Sequence, residues 1–473
     1  MRSVIINGMR GMTWAAAACM AAACTGGGIA ASSAVSPGQS TPALGAPSST
    51  ASRTAGFPAS AWPEYGQNAG RTGTVAGRPA AGRLSPRWTA RLDGAVYGQP
   101  LVVGDTVIAA TENDTVYALN ESTGTVAWHT HLGTPVPLGS LPCGDINPLG
   151  ITGTPGYDQG NGLVYAVAET TGYHHVLFGL SVSNGAVKVR REIPVPGNAA
   201  AFQQRPGLAI DDGRVYAAFG GLYGDCGQYI GTVVGVPLSG RGALVSWHTP
   251  TTREGAVWGS AGPVTGPAGD LWVSTGNGAA GQGQAYDGSD SVTRLSPGLA
   301  RMNFFAPATW AQDNASDLDL GSTQPVLAAG NSAFIMGKRG VGYLLNTASM
   351  GGIGGQLAER AICPAFGAGA VDGTTVYEPC YGGLAAISVS AAQRTIRVLW
   401  RGPGDGNGSP SIGGGAVWVA STSSGTLYEL NPANGAVRSR IGIGGLPHFP
   451  SVSLAGGTAF AGTLQGVVAV NGA

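Results

Sequence analysis

The stretch Ala118-Leu119-Asn120-Glu121-Ser122-Thr123-Gly124-Thr125-Val126-Ala127-Trp128 returns twice along the chain in altered form. Leu180-Ser181-Val182-Ser183-Asn184-Gly185-Ala186-Val187 is a second copy, and Leu430-Asn431-Pro432-Ala433-Asn434-Gly435-Ala436-Val437 is a third. Each copy is an apolar strand, a polar turn closed by Gly, and another apolar strand. The Gly supplies the positive φ that a tight hairpin requires. The copies lie too far apart to be neighbouring hairpins of one small sheet. They are the same corner of a repeated unit, and a repeated four-stranded unit predicts a propeller.

The start of the unit recurs as well. A dipeptide ending in Pro, followed by an apolar run, stands at Gln99-Pro100, Thr154-Pro155, Arg205-Pro206, Gly262-Pro263, Gln324-Pro325, Ser409-Pro410 and Phe449-Pro450. An eighth opening without Pro fits at Gly367-Ala368-Gly369-Ala370-Val371. The spacing of about 40–60 residues suits propeller blades, the longer ones carrying one extended loop each. Pro suits the first residue of a strand. A second strand follows each turn, as in Asp105-Thr106-Val107-Ile108, Gly162-Leu163-Val164-Tyr165 and Gly415-Ala416-Val417-Trp418. The expected fold is all-β: an eight-bladed β-propeller of four-stranded antiparallel blades. A generic antiparallel sandwich is the alternative, and eight matching openings argue against it.

The chain has 473 residues, enough for two or three domains, but the repeat argues for one large one. Charged residues make up 11% and the net charge is zero. No basic stripe marks a nucleic-acid surface. Arg2 and Arg10 precede a short apolar stretch that ends in Ala21-Ala22-Ala23-Cys24, which reads as an export signal over residues 1–24. Small residues before a Cys resemble a bacterial lipoprotein site, with Cys24 the lipidated residue. Ordinary signal cleavage near Ala31 to Ala34 is the alternative. Residues 25–60 are rich in Ser, Thr, Ala, Pro and Gly, with Arg53 the sole charge, and read as a disordered tether. Residues 61–473 form the propeller. No apolar run after the N-terminus is long enough to cross a membrane, so any membrane contact is expected through the lipid anchor alone.

Four Cys fall in the propeller. An even count in an exported chain suggests disulfides. Cys363 and Cys380 flank one hairpin with Asp372-Gly373 at its turn and are paired on that ground. Cys143 then pairs with Cys226. Four buried thiols are the alternative.

The segment Ala118 to Trp128 resembles the tryptophan-docking repeat of pyrroloquinoline quinone (PQQ) dehydrogenases and their non-catalytic relatives, departing from Ala-x-Asp-x-x-Thr-Gly-x-x-x-Trp only at Asn120. The resemblance covers roughly residues 61 to 473 and implies that the Trp of one blade docks on the next. Trp62 to Gly73 also looks like the N-terminal segment of such proteins. Arg87-Trp88-Thr89-Ala90-Arg91-Leu92 would then be the outer strand of the last blade, closing the ring against Gly466 to Val470.

Three further segments carry the resemblance into chemistry. Ser274-Thr275-Gly276-Asn277-Gly278 looks like the stretch whose Asn binds calcium beside the quinone. Asp313 to Ser322 resembles the segment that carries the catalytic Asp, which implies Asp317 or Asp319. Gly337-Lys338-Arg339-Gly340 resembles the strand whose basic residue contacts the quinone. The resemblance thus implies Asp317 and Asp319 as catalytic, Lys338 and Asn277 as cofactor-binding, and Asn277 and Asp317 as metal ligands. A carboxylate near calcium can take an alcohol proton, and Lys can stabilise the charge that develops. Two departures point to a quinone site that is eroded or changed, which leaves two expectations open: PQQ with calcium, or no cofactor. The chain has no adjacent Cys pair. The calcium-binding Glu has no counterpart in Gly224 to Gly231, where Asp225 is the nearest substitute. Each residue also has a structural reading: Asp317 and Asp319 as turn caps, Asp287 and Asp290 as Asx-turn residues, Lys338-Arg339 as a solvated turn.

No nucleophile elbow or phosphate loop occurs. His129 and His131 would share a strand face, which suits a surface pair. Two functional readings stand. One is an exported or membrane-tethered monomeric propeller that binds an envelope protein or small molecule on its top face. The other is a PQQ- and calcium-dependent alcohol or sugar dehydrogenase with a modified site.

Overall fold

The computed structural model describes residues 61–75 and 83–472. The expected signal, the tether and Cys24 lie outside the described residues. Eight sheets follow one another around a ring. Their inner strands are Leu101–Val103, Gly156–Asp158, Ala209–Asp211, Val264–Thr265, Val326–Ala328, Ala370–Asp372, Ser411–Gly413 and Val452–Ala455. Each begins within a few residues of an opening read from the sequence. Blades one to seven run outward as antiparallel meanders of four strands. Blade three gains a short strand, Phe202–Gln203, on the far half of its second strand. Blade four gains Gly352–Ile353, parallel to its outer strand Arg301–Ala306.

The eighth blade draws on both ends of the propeller. Ser85–Arg91 pairs antiparallel with Gly466–Asn471, with Thr89 opposite Val468. The ring is closed by the N-terminal strand, so the array has no open edge between its first and last blades.

Blades adhere through apolar faces. The second and third strands carry continuous apolar runs, as in Val164–Ala168 and Val176–Leu180, because both faces of these strands are covered. Leu101, Ile108, Val116, Ile151, Val164 and Val176 form one such interface between blades one and two. The outer strand Val126–His131 is mostly exposed, and its Trp128 reaches sideways. Trp128 donates its indole N–H to the Val182 carbonyl of blade two at 2.9 Å. Trp88 donates to Glu121 at 2.9 Å and Trp400 to Pro432 at 2.8 Å in the same manner. The receiving turns are alike. Gly124, Gly185 and Gly435 each have φ near 72° and donate to the carbonyls of Asn120, Ser181 and Asn431, each at 2.8 Å. Asn120, the departure from the repeat pattern, accepts from the Ser122 and Thr123 amides at 3.0 Å, so its amide oxygen does the work of the missing carboxylate.

In a meander blade, the second-to-third-strand loops and the blade-to-blade loops share one end of the ring, here called the upper end. Inner strands run downward from it. Residues 61–75 occupy the central channel. Trp62 and Val102 exchange backbone hydrogen bonds of 2.8 and 2.9 Å in antiparallel sense, so the chain rises at blade one. The Tyr157 amide donates to the Pro63 carbonyl, the Thr265 amide to Ala69 and the Val371 amide to Thr72, all at 2.8 Å. The segment then descends beside Ile412 of blade seven in parallel sense. Arg71 locks the crossing: it donates to Glu64 at 2.7 Å and to the Tyr65 and Leu208 carbonyls at 2.8 Å. The channel is thereby filled below, and the ring becomes a cup open at its upper end.

Both expected disulfides form. Cys143 and Cys226 have Cα atoms 5.9 Å apart, and Cys363 and Cys380 are 5.7 Å apart.

Candidate functional site

The upper-end loops converge on a cavity of about 380 Å³. Blade four supplies Asn277 just beyond its second strand, Leu271–Ser274. Gly276 has no room for a side chain, because a Cβ there would run into the Asp319 carboxylate. That close approach lets the Asn277 amide donate to Asp319 Oδ1 at 2.6 Å, while Asn277 Nδ2 donates to Asp317 Oδ1 at 2.9 Å. The loop into blade five carries a one-turn-plus helix, Trp310–Ala315, and then Asp317 at φ 52°, a left-handed conformation that Asp tolerates better than most residues. Lys338 follows the second strand of blade five, Ser332–Met336. Its amide donates to the Asp319 carbonyl at 2.9 Å. Its Nζ stands 2.6 Å from Asp317 Oδ1 and 2.6 Å from Asp319 Oδ2. The four residues singled out in the sequence are therefore brought together in one cluster at the cavity.

Their environments differ. The Asp317 side chain is 71% exposed on the rim, whereas that of Asp319 is 10% exposed. Burial raises the Asp319 carboxyl, and Lys338 pulls it back toward ionisation. Burial works against the Lys338 ammonium, but Asp319 and Asp317 outweigh it and hold its pKa above the usual lysine value. Asp290 is buried beneath the cluster, where one oxygen accepts from the Leu320 amide at 2.9 Å. Burial, and then the charge of Asp319, raise its pKa well above the ordinary value. Asp287 makes the expected turn: Oδ1 accepts from the Ser289 amide at 3.2 Å, and Oδ2 ties in Thr251 at 2.8 Å. Lys338-Arg339 is not a solvated turn, since Arg339 is hydrogen-bonded to Asp313. His129 is an exposed strand residue stacked on Tyr117.

Other residues complete the cavity. Trp258 underlies Lys338, whose Nζ is 5.6 Å from the ring centroid. Phe449 crosses from the loop before blade eight to pack on Trp258 at 5.9 Å and on Phe366 at 6.4 Å. Arg205 lies over the Phe449 ring at 5.6 Å and 4.0 Å from Asp145. Asp225 accepts from the Tyr229 hydroxyl at 2.5 Å, next to the Cys226 disulfide. Glu254 lines the same wall. The signal for two of these was present in the repeat. Arg205 and Phe449 each precede the Pro that opens an inner strand, and in a ring that position borders the upper mouth.

Residues 69–279 match a protein family described as outer membrane protein assembly factor BamB. No curated protein sequence matches the chain. Among solved structures, BamB from Moraxella catarrhalis shares 16% identity and a TM-score of 0.56, over 82% of this chain and 97% of that one. The quinohemoprotein alcohol dehydrogenase from Comamonas testosteroni shares 14% identity and a TM-score of 0.65, over 87% of this chain and 80% of that one. A europium-containing methanol dehydrogenase shares 12% identity and a TM-score of 0.65, over 87% and 98%. At these identities the likeness carries the fold. The chain is an eight-bladed β-propeller of the same fold as these proteins, and residues 69–279 carry the family match.

The calcium and quinone implied by the sequence resemblance can be tested against the residues. Asn277 Oδ1 is buried without a hydrogen-bond partner, which points toward a ligand. The space between Asp317 and Asp319, however, is filled by the Lys338 ammonium. Among the described residues no group of three or more His, Cys, Asp or Glu is placed to hold a metal ion. PQQ carries several carboxylates, and the cavity presents Asp145, Asp225, Glu254, Asp317 and Asp319 against Arg205 and Lys338. In this arrangement the residues do not fit the calcium–quinone pair.

Proposed function

We propose that the protein is an exported binding module of the bacterial cell envelope, held by a lipid at Cys24 or secreted, whose cup takes a small ligand or partner loop. The observation that carries this reading is the pairing of Lys338 with Asp317 and Asp319. It neutralises from within the chain the carboxylates that would otherwise hold a metal. The plugged channel supports it, because the cup has one mouth rimmed by loops, and loops held on a scaffold are the usual place for recognition. The family described as BamB, an assembly factor, is consistent with such a role. The test is affinity capture from envelope extract with the folded protein, together with calorimetry against PQQ and calcium. A specific captured partner and no quinone binding are expected. PQQ binding with calcium-dependent, dye-linked alcohol oxidation would overturn the reading.

A second reading is a PQQ- and calcium-dependent alcohol or sugar dehydrogenase with a modified site, in which Asp317 or Asp319 takes the proton. The unpartnered Asn277 Oδ1 favours it. It requires Lys338 to leave both carboxylates, and the same calorimetry decides it.

A further inference from the structure

The charge and the surfaces of the cavity restrict what it can hold. Five carboxylates line it, and two fixed cations accompany them. Lys338 serves Asp317 and Asp319, and Arg205 stands nearest Asp145. Asp225 and Glu254 also line the cavity, on the side of Asn277, where Glu254 forms a β-bridge to Gly278. The Asp225 carboxylate has a neutral partner, the Tyr229 hydroxyl. Glu254 meets Arg253 at 3.0 Å, a half-exposed side chain that does not line the cavity. Aromatic surface lines the same cavity. Tyr223 is 69% exposed at the mouth, and Trp258, Phe366 and Phe449 form the interior.

The chain itself shows which chemistry this combination accommodates. One alkylammonium group, that of Lys338, already sits 5.6 Å from the Trp258 centroid and 2.6 Å from each of two carboxylates. Aromatic faces attract cations through the ring quadrupole, more strongly where water is partly excluded. Asp225 and Glu254 add two more carboxylates to the same aromatic-lined cavity, and the cation beside them, Arg253, lies outside its lining.

We propose that the cavity binds an organic ammonium ion, seated against Asp225, Glu254 and the aromatic face of Tyr223. The proposal rests on the reading of the protein as a binding module and names the class of its ligand. The raised pKa of Glu254 agrees with it. Burial is the main cause, and Asp225, Asp319 and Asp317 add repulsion that Arg253 only partly offsets. A ligand cation relieves that repulsion. A polycarboxylate meets the same field with the opposite sign. The cavity, at about 380 Å³, is larger than a bare ammonium head, so the ligand carries a chain or ring as well.

The test is calorimetric titration of the purified protein with tetramethylammonium and with spermidine, at low and high salt, beside titrations with PQQ and with calcium. At least one ammonium ion is expected to bind, with affinity that falls as salt rises. Glu254→Gln and Asp225→Asn are each expected to weaken it by roughly threefold. Both replacements keep the side-chain shape, and unchanged thermal unfolding will show that the fold is intact. Tyr223→Ala should weaken binding without altering its salt dependence. The proposal is overturned if neither ammonium ion binds, if binding ignores both carboxamide variants, or if PQQ binds more tightly than either cation. Absence of ammonium binding with a captured envelope partner would remove this ligand and leave the module reading standing. PQQ binding with dye reduction would remove both.

Discussion

Gly185 lies against the indole of Trp128: a Cβ built on Gly185 would stand 2.5 Å from ring carbon Cε3. The two residues belong to adjacent blades, Trp128 to an outer strand and Gly185 to the turn it docks on. Gly124 meets Trp88 and Gly435 meets Trp400 in the same way. The Gly of the repeat thus has two duties. It adopts a positive φ, and it leaves bare backbone for the neighbouring ring.

Those duties can be separated. Gly213 also has a positive φ, 69°, but no atom lies within 4 Å of a Cβ placed there. Gly213→Ala is expected to cost about 1 kcal/mol, the left-handed strain alone. Gly185→Ala adds the clash with Trp128 and is expected to cost about 2–4 kcal/mol. Urea unfolding of the two variants checks this, and equal losses would refute the docking role.

Glu378 is 0% exposed, and neither carboxylate oxygen has a hydrogen-bond partner. Burial raises its pKa from the ordinary 4.5 to about 8. Between those values the folded protein holds a proton that the unfolded chain has lost. This contribution is fully present below pH 4.5 and disappears as pH rises through 8, at about 1.4 kcal/mol per pH unit. Burial also raises Glu112 to about 7 and Asp114 to about 8, which steepens the same decline. Glu378→Gln should flatten the fall in melting temperature between pH 5 and pH 8. A variant with the wild-type slope would show that Glu378 does not titrate there.

Asp317 and Asp319 share Lys338 but should respond unequally to neutralisation. Asp319→Asn removes a nearly buried charge that also receives the Asn277 amide, and is expected to cost about 1–3 kcal/mol. Asp317→Asn acts on an exposed rim group and is expected to cost less than about 1 kcal/mol. Denaturant titration of both variants distinguishes them.

The two disulfides close loops of different length. Their sequence separations are 83 for Cys143–Cys226 and 17 for Cys363–Cys380. The loop-entropy relation gives about 4.5 and about 3 kcal/mol respectively. Non-reducing peptide mapping should recover these two pairs. Cys226→Ser should destabilise more than Cys363→Ser. It should also loosen the cavity rim, because Asp145 and Asp225 flank the bridged residues.

The blades were legible in the sequence because each one repeats the same local demands. Pro or Gly starts the inner strand, apolar runs make the covered strands, and a Gly closes the outer hairpin. Ring closure by Ser85–Arg91 was legible from one short likeness. The cavity was only half visible. Asn277, Asp317, Asp319 and Lys338 sit in recognisable segments, whereas Glu254, Trp258 and Phe366 lie in blade-to-blade loops with no recurring spacing. Their convergence depends on the curvature of the whole ring. The Lys338 ion pairs were likewise invisible, since loop folding decides whether a Lys faces a cofactor or a carboxylate.

The pairing of Ser85–Arg91 with Gly466–Asn471 also sets an order on biosynthesis. During translation the earlier strand leaves the ribosome long before its partner exists. It must wait unpaired, along with the channel segment, whose contacts on blades four, six and seven also emerge later. Seven blades can form as they are made, but the ring cannot lock until Gly466–Asn471 is free. A chain cut short by a dozen residues would lose its closing strand and leave two sheet edges bare.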